Sequence, residues 1–474
     1  MGLAATARAD GPQSDAAPPA SGSASSSSLP PTSRAPAFHP TPDLDLPKLE
    51  DLVRRRSADV EAANLEVDLA EAGRRQAGLP GNPTFDFTWG TIPVGTSNPA
   101  TLQNPIAHVP NYNFGLSYTI PIGKISPRVD MADAELRGAK ADRDATSRAE
   151  ALQLAQVLGM LATSQLRSES LRELLGDAHR EVDVAESKLK SGFGIPLDVD
   201  RLRVEQSRAE QQMLSAESDR DEALASCAAL VGATCEPFSN ADEARLFLEH
   251  WIDRVPKGAI RYEDRPDLRA LSAYQEAAEH EGTLARNTAL PDPTVRFGYT
   301  HDTFVVSGNQ ADSLSITVAV PLNFVDRGQA QAQAADAKRS RYGSQRARLL
   351  MATEARVPAL VDRLDAQRKR QDKLTTDALP HALSVLKDVQ RTETAQLVPI
   401  TELIQARRAV SELVLEQADS YSDAFSAALE LASVLPPSTP LAVVPRAEPP
   451  PVPRDTPAAP AQPSPTAPPA SPTH

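Results

Sequence analysis

Asn82-Pro83-Thr84-Phe85-Asp86-Phe87-Thr88-Trp89 and, far along the chain, Asp292-Pro293-Thr294-Val295-Arg296-Phe297-Gly298-Tyr299 are two copies of one pattern. Leu79-Pro80 leads into the first and Leu290-Pro291 into the second. A second alternating run follows each: Phe114, Leu116, Tyr118 and Ile120 up to Pro121, then Leu314, Ile316, Val318 and Val320 up to Pro321. Apolar residues recur at every second position, with Asp86, Thr88, Gly115, Ser117, Thr119, Arg296, Ser315 and Thr317 between them. A strand places successive side chains on opposite faces, so this alternation predicts four strands with one apolar face each. Their expected bounds are about 82–90, 112–122, 292–304 and 312–322. Each is near the length a tilted strand needs to cross a hydrocarbon layer, and aromatic residues gather toward several strand ends, as an interfacial belt requires.

Each pair of strands is followed by a very long helical pattern, from Pro127 to Lys190 and from Arg327 to Thr392. Leu154, Leu158 and Leu161, then Leu171, Leu175, Ala178 and Val182, keep to one face at spacings of three and four. At 1.5 Å per residue such a rod is roughly 90 Å long, far beyond the need of a globular domain. Ser191-Gly192-Phe193-Gly194-Ile195-Pro196 and Thr394-Ala395-Gln396-Leu397-Val398-Pro399 break the two rods, after which helical patterning resumes and must run back. The chain is therefore an internal repeat, each half with a strand hairpin at one end and a helical hairpin at the other. The expected organisation is 1–46 as an unstructured Ser/Pro/Ala-rich segment, 47–240 as the first repeat, 241–257 as a connector, 258–435 as the second repeat and 436–474 as an unstructured Pro/Ala-rich tail.

Composition fits rods better than thick cores: aromatic residues make up 4% of the 474-residue chain, and alanine is abundant. A formal net charge of -14 argues against nucleic acid, which demands clustered Lys and Arg. No run of eighteen apolar residues exists, which excludes a membrane-spanning helix and leaves a membrane β-barrel open. Ala7-Arg8-Ala9 before Asp10 has the small-residue character of a secretory signal's end without the basic and apolar regions, so it reads either as a signal remnant or as an unstructured terminus. Cys227 and Cys235 are the two cysteines. They can close a small disulfide across the turn at Gly232 in an oxidising compartment, or stay as buried thiols. Neither follows a signal-like stretch where a lipid could be attached, so a lipoprotein is not expected.

Four strands cannot close a membrane barrel, and an open edge facing lipid leaves backbone groups unpaired at several kcal/mol each. Copies must share one barrel. Three copies give twelve strands and an open lumen, whereas two give the narrow eight-stranded case. The expected fold class is mainly α with a membrane β-barrel portion: two tandem repeats of long antiparallel helices with two strands each, assembled as a trimeric twelve-stranded barrel joined to a helical tunnel.

This ordered set resembles the TolC-like outer membrane efflux protein family. The resemblance spans Leu46 to Leu435 and rests on Asp59-Val60-Glu61-Ala62-Ala63-Asn64 with the Ala-rich run to Arg75, on Leu79-Pro80, and on Arg265-Pro266-Asp267-Leu268-Arg269-Ala270 leading through Ala285-Arg286 to Leu290-Pro291. It rests also on Ile120-Pro121-Ile122, on Val320-Pro321-Leu322 and on Gly192 six residues before Asp198-Val199. It implies a homotrimer in outer membrane lipid with a periplasmic extension, docked to a periplasmic adaptor and an inner-membrane pump, with no cofactor. It also implies that Gly192, Phe193, Gly194, Leu397 and Val398 form the adaptor-docking tips, and that Asp198 and Glu402 ring the tunnel gate and favour cations. An N-terminal cap on the returning helix is the alternative role for Asp198. The second tip departs from the family in lacking its usual glycine. Phe85, Phe87, Trp89, Phe114, Leu116, Tyr118, Phe297, Tyr299, Leu314, Ile316 and Val318 are the expected membrane-facing residues. The Asn82-Pro83 and Asp292-Pro293 turns are similar to those of the branch serving heavy-metal cation pumps, although the eight histidines form no ligand grouping.

An enzyme is disfavoured, since no phosphate-cradling glycine loop, GxSxG or isolated cysteine with a base is present. Two rivals remain: a soluble or periplasmic coiled-coil structural protein, which leaves the matched strands without a reason, and the outer membrane duct of a type I protein secretion system.

Overall fold

The computed structural model describes residues 37–90, 111–302, 310–394 and 398–444. Leu397, positions 303–304 of the third expected strand, and most of the two expected unstructured ends lie outside the described residues. The helices are α1 (Leu46–Arg56), α2 (Ala58–Ala77), α3 (Ile125–Lys190), α4 (Pro196–Val231), α5 (Ala241–Ile252), α6 (Pro266–Arg286), α7 (Gln329–Lys373), α8 (Leu379–Thr394) and α9 (Ile400–Val434). The strands are β1 (Thr84–Trp89), β2 (Asn111–Thr119), β3 (Arg254–Pro256), β4 (Thr294–Asp302), β5 (Asp312–Ala319) and β6 (Leu441–Val443).

α3 has 66 residues, a rod of about 100 Å. Its counterpart in the second repeat is α7 and α8 joined by a π-helical turn at Leu374–Ala378. Pro380 stands just after the turn: a proline inside a helix lacks the N–H and crowds the carbonyl one turn back, which a widened turn relieves without ending the helix, whereas Pro358 is carried within the regular helix α7. Shorter helices fill the spaces beside the rods. α2 and α4 pack along successive lengths of α3, while α6 and α9 are sandwiched in the same way between α3 and α7. The ends meet: Arg265, just before α6, donates from Nη1 to the carbonyl of Val434 at the end of α9, at 3.0 Å. The result is a layer of four struts. Small residues set its close spacing, for α3 buries Ala132, Ala134, Gly138, Ala141, Ser147 and Ala151 along its length.

At one end of this layer β1, β2, β4 and β5 form one antiparallel sheet in that order. β2 and β4 belong to different repeats yet pair over their whole lengths, from Asn111↔Asp302 to Thr119↔Thr294. Midway along, a lateral cluster rests on α3 and α9. Leu49 and Val53 of α1, Phe247, Leu248 and Ile252 of α5, and Phe238 bury themselves against Leu154, Leu158 and Leu161, with Phe425 and Leu431 from α9. Cys227 and Cys235 are joined as a disulfide in this cluster, which decides between the two readings of the pair. Phe38 donates its N–H to Thr234 and accepts from Glu236 beside that bond.

The ends differ from expectation where they touch this cluster. Residues 37–45 are tied to it, and Leu441–Val443, in the stretch expected to be unstructured, is strand β6 paired with β3. The physical reason is a supply of unpaired backbone groups along Arg254–Pro256, which an apolar Leu441-Ala442-Val443 segment arriving from α9 can satisfy.

Candidate functional site: a two-faced sheet and the hairpin tips

Strand register puts the apolar residues of all four strands on one face. Phe85, Leu116, Phe297 and Ile316 stand in one row, and Phe87, Phe114, Tyr299 and Leu314 in the next. Tyr118, Val295 and Val318 make a third row, and Trp89, Tyr112, His301 and Asp312 a fourth at the end away from the helices. None of the described residues covers this face, and Leu314 is 86% and Ile316 71% exposed. In the fourth row Tyr112 stacks on His301 at 4.9 Å, and His301 meets Asp312 at 2.7 Å, so this histidine is a partnered polar residue at the aromatic rim. The opposite face carries Thr84, Asp86, Thr88, Asn113, Gly115, Ser117, Arg296, Gly298, Thr300, Ser315 and Thr317. The strands of this sheet span six to nine residues, shorter than the ten or so expected.

At the other end of the rods, α3 stops at Lys190 and α4 starts at Pro196. Gly192 adopts φ +79, and the N–H groups of Gly192 and Phe193 return to the carbonyls of Leu189 and Lys188, both at 3.0 Å. This left-handed glycine cap stops the helix and lets the chain reverse. Gly194 is required by a close approach: a Cβ there would sit 2.5 Å from the backbone nitrogen of Leu189. Phe193 is left 78% exposed at the apex.

Asp198 lies in the first turn of α4 and pairs with Arg201 at 3.6 Å. No side chain caps this helix, whose N-cap residue is Ile195, so the capping role for Asp198 is not realised. Glu402 stands exposed in the first turn of α9. A cavity of about 220 Å³ between the two tips brings Lys188, Phe193, Gly194 and Asp198 together with Glu393 and Val398. Glu402 does not line it.

Polar ties that the sequence reading missed join the two helical hairpins. Lys188 of α3 pairs with Glu393 of α8 at 2.8 Å. Glu181 of α3 accepts from Gln390 of α8 at 3.0 Å and pairs with Arg407 of α9, which also donates to the carbonyl of Leu174 at 2.8 Å. Arg408 of α9 reaches Glu205 of α4, with Nε to Oε2 at 3.0 Å. The Arg408 guanidinium holds the Glu205 carboxyl below the usual carboxylate range, against the opposing effect of its partial burial. Arg407 and Arg408 stand out in the sequence as a basic pair within an otherwise Ala- and Leu-rich helix, but which acid each meets depends on how the two hairpins face one another.

Among the described residues no three His, Cys, Asp or Glu side chains converge as a metal cage would, and no helix is long and apolar enough to cross a membrane. The decisive pairing is thus between a sheet apolar on one face and rods whose hairpins are joined by polar ties at the opposite end. In sequence, residues 49–233 match the outer membrane efflux protein family. That match falls on the first repeat. The second repeats its element order, and the whole fold has solved counterparts. VceC, an outer membrane protein of Vibrio cholerae, superimposes with a TM-score of 0.62 at 20% identity, covering 82% of this chain and 96% of VceC. The CmeC outer membrane channel of Campylobacter jejuni gives 0.63 at 13% identity, covering 82% of this chain and 85% of CmeC. The open state of the MtrE outer membrane channel of Neisseria gonorrhoeae gives 0.61 at 14% identity, covering 82% and 88%. No curated protein matches the chain in sequence. At these identities the likeness to the outer membrane channels is one of fold.

Proposed function

We propose that this chain is an outer membrane efflux protein, the channel subunit of a tripartite efflux system: a passive exit duct driven by an inner-membrane pump reached through a periplasmic adaptor. One observation carries the reading. The four-stranded sheet has a continuous uncovered apolar face, and β1 and β5 are its unpaired edges among the described residues. In lipid the apolar face is satisfied, but the two edges are not, because hydrocarbon offers no hydrogen-bond partners. Pairing β5 of one copy with β1 of the next removes both edges, and three copies close twelve strands around an open lumen. The rods then continue the lumen away from the membrane as a helical tunnel. Its far end is shut by the hairpin tips, with Asp198 and Glu402 at the aperture and Gly192, Phe193, Gly194, Leu397 and Val398 on the adaptor-facing surface. Cargo passes when the hairpins separate.

The test is biochemical. The full chain should be recovered from the outer membrane only by detergent, run as a heat-sensitive oligomer three times the protomer mass, and conduct ions in planar bilayers. Recovery as a water-soluble monomer would overturn the reading in favour of a coiled-coil structural protein.

A further inference from the structure

On the polar face of the sheet, Asp86, Arg296 and, at the far end, Asp302 are the charged residues among the described strands. Arg296 stands on β4 and Asp86 on β1, with β2 between them. The guanidinium spans that strand. Its Nε donates to Asp86 Oδ1 at 3.1 Å, while Nη2 donates to Asp86 Oδ2 and to Oδ1 of Asn113 on β2.

Two glycines make the span possible. A Cβ at Gly115 would lie 2.3 Å from Arg296 Nη2, and one at Gly298 would lie 2.8 Å from Nη1. The side chain therefore lies flat along a bed cleared of side chains, and a forked pair of charge-assisted bonds fixes it there. Flanking positions are hydroxyls: Thr84, Thr88, Ser117, Thr300, Ser315 and Thr317.

The geometry points to Asp86 as a positioning residue that sets the ion selectivity of the barrel wall: it pins Arg296 flat and neutralises it, leaving the wall uncharged at that level. The inference rests on the threefold barrel proposed above, in which the polar face is the lumen. Three copies place three guanidiniums around one level of the pore, each matched by its own carboxylate. Removing the carboxylate leaves three uncompensated cations, since among the described residues the charges next nearest along β4 are Asp292, itself paired with Lys124 at the base of the sheet, and Asp302 toward the rim. A single-sign ring in a confined pore concentrates counter-ions and repels co-ions, an effect that salt screens.

The experiment measures reversal potentials of purified full-length channels in planar bilayers under a salt gradient. Asp86→Asn should move the cation-to-anion permeability ratio toward anions by roughly threefold or more at about 0.1 M salt. Asp86→Glu should behave as the parent, and Asp86→Asn combined with Arg296→Gln should return the ratio to the parent's value. A structural brace alone would change oligomer stability without moving the reversal potential. Assembled Asp86→Asn channels with the parent's selectivity overturn the inference.

Should Asp86→Asn fail to assemble, Ser315→Cys in the otherwise unaltered chain reads the same wall. Both native cysteines are tied in a disulfide, so the new thiol is the reactive one. Cationic and anionic water-soluble thiol reagents should modify it at similar rates and lower the conductance. A thiol inert to both, or one modified much faster by the anionic reagent, overturns the inference. A failure of the barrel itself shows earlier, as the absence of a conducting, heat-sensitive oligomer in the unaltered protein.

Discussion

Phe425 of α9 lays its ring directly on Gly159 of α3, so closely that a Cβ at position 159 would fall 2.3 Å from the ring's Cε1. This contact joins the two repeats at the height of the lateral cluster, where Phe425 also meets Phe247 at 5.8 Å and Trp251 at 5.8 Å. A rigid aromatic ring buried on several sides cannot retreat, so the added methyl must push the helices apart. Gly159→Ala should therefore destabilise the fold by about 1–3 kcal/mol, the usual cost of overpacking, despite the gain in helix propensity. Denaturant unfolding followed by circular dichroism would measure it, and an unchanged midpoint would show that the packing is slacker than described.

The tie between Arg408 and Glu205 gives the joined hairpins a pH dependence of definite sign. The carboxyl of Glu205 is depressed by its arginine partner, so the interaction is fully present above the ordinary glutamate value of about 4.5 and is lost as pH falls through the depressed value. Resting conductance should accordingly rise below about pH 4.5 and stay low at neutral pH. Glu205→Gln should be leakier at pH 7 and show a weaker further rise on acidification. A parent channel whose conductance is flat or falling from pH 7 to pH 3 would count against this tie as part of the closure.

The disulfide between Cys227 and Cys235 closes a loop of eight-residue separation beside the bridge from Phe38 to the 234–236 backbone. Closing so short a loop in the unfolded chain is worth about 2–3 kcal/mol in the chain-entropy account. Replacing both cysteines by Ala should lower stability by that amount and expose residues 37–45 to proteolysis, with conductance retained. Amide hydrogen exchange over residues 37–45 would check the second point, and equal protection with and without the bond would refute it.

The strands and rods were legible in the sequence because their signals are local. Alternation at Phe85, Phe87 and Trp89 needs no knowledge of the rest of the chain, and neither does the glycine stop at Gly192. Strand β6 was not legible, since Leu441-Ala442-Val443 becomes a strand only through the free backbone of Arg254–Pro256, almost two hundred residues away. The same holds for Glu181 with Arg407 and for Asp86 with Arg296. Charged residues on helices and strands read as solvated faces until the packing shows which face meets which. The unstructured reading of the tail failed at its first residues for this reason, not because its composition was misjudged.

The aperture assignment separates from the closure ties in a way that electrophysiology can resolve. Among the described residues neither Asp198 nor Glu402 forms an ion pair that binds one hairpin to the other, whereas Lys188 and Glu393 join α3 to α8 directly. If the two acids face the conduction path, replacing both by Ala removes six carboxylates from a trimer's aperture and should reduce cation preference or widen the resting pore. Replacing Lys188 and Glu393 by Ala removes equal and opposite charges, so it should raise resting conductance through looser tips with little change in ion preference. Reversal potential and single-channel conductance measured on the same two variants distinguish the effects. Unchanged values for the Asp198 and Glu402 variant would remove these residues from the gate while leaving the fold and the duct intact, since neither side chain supports the packing of the hairpins.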